Sequence, residues 1–321
     1  MQGLAASWRL YGRTDGVSRG VFGVLAVLLP LLAWSAVSYL PFVWHPQVLI
    51  TDPGGEDYLE SGMRMNRADF SRAVTEMQAK NEPVPQGIAA NPVYLPSPGE
   101  VLTAFVHAFT SSAPTGAEHS ITQAFGHSIQ IIFWGFLISS LIGVPLGVMC
   151  GALPGLARLV EPSVDFFRYL PAPAFGALAV AILGIYDAPK IAIIVIGTLF
   201  QQILVIANTT RKLDFALIEA SRTLGAKGLK LLFRVVIPGI LPDIYRDQRI
   251  LLGWAWTYLI VAELIGTSSG ITWFITQQAR YQHFDNVYAA MAIIGIAGLG
   301  TDMVLGLLGR RFFAWKREID G

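Results

Sequence analysis

Six stretches of this chain are almost free of Asp, Glu, Lys and Arg: residues 20–51, 119–157, 169–186, 191–210, 250–279 and 286–309. Only Glu263 interrupts the fifth, and only Asp302 the sixth. A helix crosses the hydrocarbon core of a bilayer with about 20 mostly apolar residues. The pattern therefore predicts six spans, at 20–43, 122–150, 170–186, 190–210, 248–266 and 287–309. A single short apolar run fits a buried core helix. Six of them in 321 residues exceed what a water-soluble core can bury. The expected fold is all-α, a polytopic membrane protein. Segment 83–99 is also uncharged, but Pro83, Pro85, Pro92, Pro96 and Pro98 break the helix that lipid demands, so it reads as an extended linker. The first apolar run exceeds the usual core of a cleaved signal peptide and reads as a retained anchor.

The polar positions between the spans carry their own pattern. Segment 44–121 begins with many charges, and Phe70, Val74 and Met77 recur at helical spacing after Asn66, which is placed as a cap. One amphipathic helix over 67–80 is expected outside the membrane. It reads equally as a solvated spacer or as a docking surface or cap on a pore. Segment 151–169, interrupted by Pro162, reads as an interfacial elbow.

Segment 211–249 is the most informative. Good helix formers run from Phe215 to Arg222, and Gly225 stands where a left-handed cap ends a helix. Leu229, Leu232, Phe233 and Val236 then share one face of a second helical stretch, which Pro238 is expected to stop. A basic, amphipathic helix–turn–helix of this size exceeds a mere connector. It reads either as a loop lying on headgroups or as a rigid element inserted into a partner.

Composition sharpens this picture. Only 14% of the residues are charged and 53% are hydrophobic, against about 25% charged in ordinary soluble domains. Of the 23 lysines and arginines, 17 fall in segments 1–19, 151–169, 211–249 and 310–321. The positive-inside rule places those segments, and both termini, in the cytoplasm, as an even number of spans requires. The remaining basic residues, Lys190 among them, fall on the outer side. A lone Cys150 excludes an internal disulfide and a multi-cysteine zinc site. The sequence contains no Walker-type phosphate loop and no His-Glu-x-x-His motif. No catalytic or metal-binding residue is expected. His119 and His127, beside the second span, read as interfacial or hydrogen-bonded groups.

Ionisable groups inside spans are costly and default to a functional reading. Glu263, near the outer end of the fifth span, reads as a gate or pathway residue or as locally paired. Asp302 reads as a structural partner within the subunit. Gln201 and Gln202 point about 100° apart on a helix, so one can line a pathway while its neighbour bonds another helix.

The cytoplasmic segment resembles a known signature. Permeases of ATP-binding-cassette (ABC) importers carry Glu-Ala-Ala, three residues, Gly, nine residues, Ile, one residue and Leu-Pro. Here Glu219-Ala220-Ser221 is followed by Arg222, Thr223, Leu224 and then Gly225-Ala226, and Val235 and Ile237-Pro238 stand at the expected distances. Ser221 and the aliphatic residues at 235 and 237 are the departures. Leu95-Pro96-Ser97-Pro98, the run from Arg168 to Ala174, and Ala262-Glu263-Leu264-Ile265-Gly266 resemble the nitrate/sulfonate/taurine/bicarbonate branch. The resemblance covers 95–315 and departs at Gln201-Gln202.

The resemblance implies a type I importer bundle with a cytoplasmic coupling helix pair. Together with the span pattern it gives residues 1–44 as N-terminus and first span, 45–96 as an extra-cytoplasmic insertion with one short helix that the resemblance does not cover, and 97–321 as a five-helix permease core with coupling segment 211–238. Two permease chains, identical in most of this branch, would form the pathway in a bacterial-type inner membrane. Two ATPase subunits would bind beneath, carrying the ATP and Mg, and an external solute-binding protein would deliver the substrate. No nucleic acid is implied. Glu219, Ala220, Ser221, Arg222, Leu224, Gly225, Ala226 and Pro238 would couple to the ATPase. Gln201, Gln202 and Glu263 are the candidate pathway residues. The branch favours small anions such as nitrate, bicarbonate, sulfonates and taurine, yet away from their ends the spans hold no lysine or arginine. A stand-alone membrane enzyme, scaffold or secondary transporter is the alternative, and it leaves the spacing of 219–238 unexplained.

Overall fold

The computed structural model describes residues 16–40, 43–54, 59–80, 82–110, 120–265 and 269–316. It falls into two compact units. One comprises Met1–Thr110 with Gln278–Ala289, and the other Ser111–Gln277 with Ala290–Gly321.

In the first unit, α1 (Gly16–Tyr39) is apolar on all sides and presents its side chains outward over Val21–Leu32. A helix apolar all round is suited to lipid. Its second half is tied down by polar groups. Trp34 donates to the Pro96 carbonyl at 3.1 Å and stacks on Tyr288, and the Tyr39 hydroxyl accepts the Gly99 N–H at 2.9 Å. The insertion holds a feature the spacing did not announce, a three-stranded antiparallel sheet. Its central strand β1 (Gln47–Asp52) lies between β2 (Arg64–Asn66) and β3 (Gln86–Ala90). Val48 and Ile50 are buried on β1 with the period of two that a half-buried strand requires. The expected helix α2 (Arg67–Lys80) follows β2 directly and buries Ala73 and Met77. A further amphipathic helix, α3 (Pro98–Thr110), begins inside the stretch read as a linker.

The second unit is built on α4 (Ile121–Ala152) and α7 (Asp187–Arg211). Ser120 and Gln123 close a reciprocal capping box at the start of α4. Gly135, Ser139, Gly143, Gly147 and Gly151 recur every four residues along α4 and form one stripe against α7. A Cβ added at Gly147 would stand 2.8 Å from the Ile203 carbonyl and from Ile206. Small residues allow the close backbone approach on which helix packing in lipid depends. Val148, Ile206, Val236, Ile240 and Ile244 form a core near the C-terminal ends of α4 and α7.

Two expected boundaries move. The span placed at 170–186 is shorter than expected, its helical part ending at Leu183. The elbow α5 (Pro154–Arg168) and the segment Ala172–Leu183, a 3₁₀ turn followed by α6 (Gly176–Leu183), meet at 88°. Pro171 and Pro173 stand at that break. The second correction concerns Pro238, which does not stop a helix. After α8 (Phe215–Thr223) and α9 (Gly228–Leu231), a π turn over Leu232–Val236 runs into α10 (Ile237–Leu264), and Pro238 occupies its first turn. Proline fits there because the π turn shifts the preceding bonding, Ile237 N–H reaching five residues back to the Leu232 carbonyl. Helix α10 therefore starts 11 residues before the expected span and carries Asp243, Arg246, Asp247 and Arg249 in its first half. Helices α11 (Ile271–Arg280) and α12 (Phe284–Phe312) complete the order. By length and composition, α1, α4, α7 and α12 are each able to cross a membrane, and the bent pair adds a fifth crossing if it counts as one. Helix α10 falls outside that set because of its charged first half.

Candidate functional site: the coupling segment and three polar knots

The segment 211–238 is assembled by local rules. Asp214 caps α8, its Oδ1 accepting the Ala216 N–H at 2.9 Å. The helix ends in a Schellman motif. Gly225 N–H meets the Arg222 carbonyl and Ala226 N–H meets the Ser221 carbonyl, both at 2.9 Å. Gly225 has φ +85°, and no atom lies within 4 Å of an added Cβ, so glycine is required there for its backbone and not for space. The Ser221 hydroxyl turns back to the Leu217 carbonyl at 2.7 Å. Glu219, Ala220 and Arg222 are exposed, and Leu224 is 88% exposed. No residue of α8 is buried. A rigid, capped helix with apolar and charged side chains facing outward has the form of a surface awaiting a partner.

The first knot surrounds Gln202, which is fully buried between α4, α7 and α10. Its Oε1 accepts from the Ser139 hydroxyl. Its Nε2 donates to Ser140 Oγ and to Gln248 Oε1, both at 3.0 Å. Thr198 joins through Ser139 at 2.8 Å, and Ser140 also donates to Gln248. Gly143 leaves the room Gln202 occupies, since a Cβ there would stand 2.9 Å from Oε1. Gln201 is half-buried and takes no part in this network. The two neighbours therefore divide as their 100° separation implies. Gln202 ties helices together, and only Gln201 stays free for a pathway.

The second knot holds Glu263, which is 1% exposed. Its Oε1 accepts from the Ser128 hydroxyl, and its Oε2 accepts the Thr272 N–H at 2.8 Å. Ser128 Oγ in turn accepts the Ile271 N–H at 2.8 Å. Glu263 and Ser128 thus satisfy the first free donors of α11, where a carboxylate also opposes the positive end of the helix dipole. Gly270, at φ +102°, turns the chain tightly over the carboxylate, and any Cβ there would overlap it.

Beside it lies a group the sequence reading missed. Lys190, counted there as an outer-side basic residue, is fully buried. Its Nζ donates to Ser269 Oγ at 2.6 Å and to Asp187 Oδ1 at 3.2 Å, and Asp187 Oδ2 pairs with His127 Nε2 at 2.9 Å. The spacing Asp187-x-x-Lys190 was the available signal, since residues three apart on a helix are neighbours.

The third knot joins α10 to its surroundings. Asp247 accepts from Thr209 Oγ1, and burial pushes its carboxyl above the ordinary aspartate range. Arg249 makes a two-pronged pair with Asp302. Nε meets Oδ1 at 3.1 Å and Nη2 meets Oδ2 at 3.0 Å. Asp302 is therefore paired within the subunit as expected, although its partner lies on α10. At the elbow, Arg211 pairs with Glu161 and joins α5 to the end of α7. Among the described residues no group of three or more His, Cys, Asp or Glu side chains is placed to hold a metal ion.

Known proteins resemble this chain in sequence and fold. Residues 143–317 match the family described as "Binding-protein-dependent transport system inner membrane component". An ABC transporter permease protein of Brucella abortus strain 2308 is 31% identical over 230 residues, covering 72% of this chain and 89% of the relative. An aliphatic sulfonates transport permease protein of Escherichia coli K12 is 32% identical, covering 69% and 82%. A bacterial ABC transporter involved in the import of the acidic polysaccharide alginate contains a chain of similar fold. Its TM-score is 0.50 at 13% identity, covering 92% of this chain and 97% of that one. The matched region takes in the exposed helix α8, its Schellman cap and Gln202, and it identifies the protein as a multi-pass inner-membrane permease subunit of a binding-protein-dependent ABC importer, a transport subunit that works with ATPase and solute-binding partners.

Proposed function

We propose that two copies of this chain enclose the pathway for a small oxyanion of the sulfonate class, and that α8 and α9 seat in two ATPase subunits on the cytoplasmic side. The observation that carries the coupling role is the exposed, rigidly capped helix α8, with Glu219, Ala220, Arg222 and Leu224 facing outward. Ser221, Gly225, Ala226 and Pro238 set the turn geometry and the exit into α10. A helix capped at both ends moves as a unit, so a rotation of the ATPase is passed to α10 with little loss. The same continuity through the π turn makes α10 the first helix to respond. The ATP and Mg belong to the partner subunits. The distribution of Lys and Arg supports a cytoplasmic position for both termini. The sulfonate class is supported by the name of the Escherichia coli relative.

The experiment is ATP-driven uptake into proteoliposomes that carry the assembled transporter. Taurine, ethanesulfonate, nitrate and bicarbonate are offered against a neutral and a cationic amino compound. Uptake of a sulfonate, competed by the other sulfonate, is the expected result. Uptake confined to the neutral or cationic solutes overturns the assignment.

A further inference from the structure

The Arg249–Asp302 pair is a charged group exposed on an otherwise apolar stretch of α12, beside Leu299 and Met303. Asp302 is the only charged residue of 286–309, and Arg310 lies eight residues beyond it, about 12 Å along the helix. Yet the Asp302 side chain is 52% exposed and that of Arg249 is 24% exposed. A half-exposed ion pair at that depth faces water or another protein surface, because charged groups in hydrocarbon are too costly to leave there. The neighbouring surface is open. Gly298 and Gly295 lie one and two turns from Asp302 on the same side of α12, and an added Cβ at either would meet nothing within 4 Å. One turn beyond Asp302, Gly306 leaves room for the guanidinium, since a Cβ there would stand 3.0 Å from Nη2. Asp302 uses Nε and Nη2 of Arg249, and among the described residues no acceptor meets Nη1.

We infer that Arg249 is the cationic contact for the anion in the water-filled pathway, with Asp302 as its resident counter-ion. The paired state is neutral, so an anion is not trapped. When the solute's oxygens replace the Asp302 carboxylate on the guanidinium fork, the site holds it by the same two-pronged geometry. Leaving is then assisted by Asp302 returning to its partner. Weak, exchangeable binding suits a pathway whose solute is delivered by another protein. The inference deepens the anion reading given above and rests on it. Its test reads the local charge without any transported solute, so its failure is distinct from a failure of uptake.

The test is charge-selective thiol labelling in membrane vesicles, on the full chain with its ATPase and with Cys150 replaced by alanine. Asp302→Cys is reacted with an anionic sulfonatoethyl and a cationic trimethylammonioethyl methanethiosulfonate. Each rate is normalised to that reagent's rate with a small free thiol. Arg249 left unpaired should favour the anionic reagent by about tenfold, and Arg249→Gln in the same background should remove the preference. Leu299→Cys combined with Asp302→Asn repeats the measurement from one turn away without a cysteine in the pair. Labelling with no Arg249-dependent preference overturns the anion contact. Absence of labelling in both cysteine variants, at normal membrane levels of the protein, overturns the pathway placement and leaves the face to a second copy of the chain.

Discussion

The carboxylate of Glu263, near the end of α10, accepts the backbone N–H of Thr272 at 2.8 Å and so anchors the start of α11. This relationship assigns a structural task to a residue that also reads as a gate. Glu263→Ala leaves the Thr272 N–H without its buried acceptor and the Ser128 hydroxyl with only the Ala124 carbonyl, and should lower stability by about 2–3 kcal/mol. Glu263→Gln keeps an acceptor oxygen and should cost less than half of that. Thermal midpoints of the purified protein in detergent check both. A gate would give the opposite pattern, with Glu263→Gln abolishing uptake while leaving the midpoint unchanged.

Gln202 and Gln201 should separate in the same assay. Gln202→Leu removes three hydrogen bonds from a fully buried knot and leaves Ser139, Ser140 and Gln248 short of partners. A loss of about 2–3 kcal/mol is expected. Gln201→Leu should change stability by less than about 0.5 kcal/mol, as substitutions away from such features do. Equal losses at the two positions would contradict the division of roles.

Gly225→Ala probes the cap directly. The side chain has room, so the whole cost is that of a left-handed backbone, about 1–2 kcal/mol for a residue with a Cβ. Asp214→Ala should cost about 1 kcal/mol at the other end of α8. Because α8 buries nothing, both losses should fall on ATPase association and stimulated hydrolysis more than on the global thermal midpoint. Titration of the ATPase against each variant measures this.

Asp247 makes a prediction in pH. Its carboxyl is raised mainly by burial, against the Thr209 hydroxyl, Arg246 and Lys212, which favour the ionised form, and with Asp243 adding to the rise. A carboxyl raised in the folded state is a penalty on folding only when ionised. The penalty is absent below the ordinary aspartate value, grows as pH climbs from there to the raised value, and is constant above it. Asp247→Asn keeps an oxygen for Thr209 and removes the charge. It should therefore be more stable than the natural protein at neutral pH, with the difference shrinking to nothing as the pH falls through the carboxylate range. Paired thermal midpoints from pH 3 to 7 report the trend.

What was legible in the sequence followed from short-range rules. The cap at Gly225 and the helix 67–80 depend on residues within a few positions, and their spacing announced them. The apolar stretches located α1, α4, α7 and α12 because the bilayer sets one length for all. Pro238 was misread because its effect depends on where the helix begins, and the π turn before it moves that beginning. Residues 47–52 and 86–90 were not read as strands, since each needs a partner far along the chain. Lys190 was taken as an outer charge because burial of a cation depends on Asp187 and Ser269, the latter 79 residues away. Arg249 was assigned to the inner segment for a related reason. Its place beside α12 appears only when α10 is extended back to Ile237.

The most direct test of the account is co-purification in detergent with the partner ATPase, comparing the natural chain with Gly225→Pro and Glu219→Arg. The account predicts that the natural chain retains the ATPase in a fixed ratio and stimulates its hydrolysis. Both variants should insert normally in the membrane and lose the ATPase or its stimulation. Stable assembly and full stimulation with both variants would contradict the assignment of α8 as the coupling element.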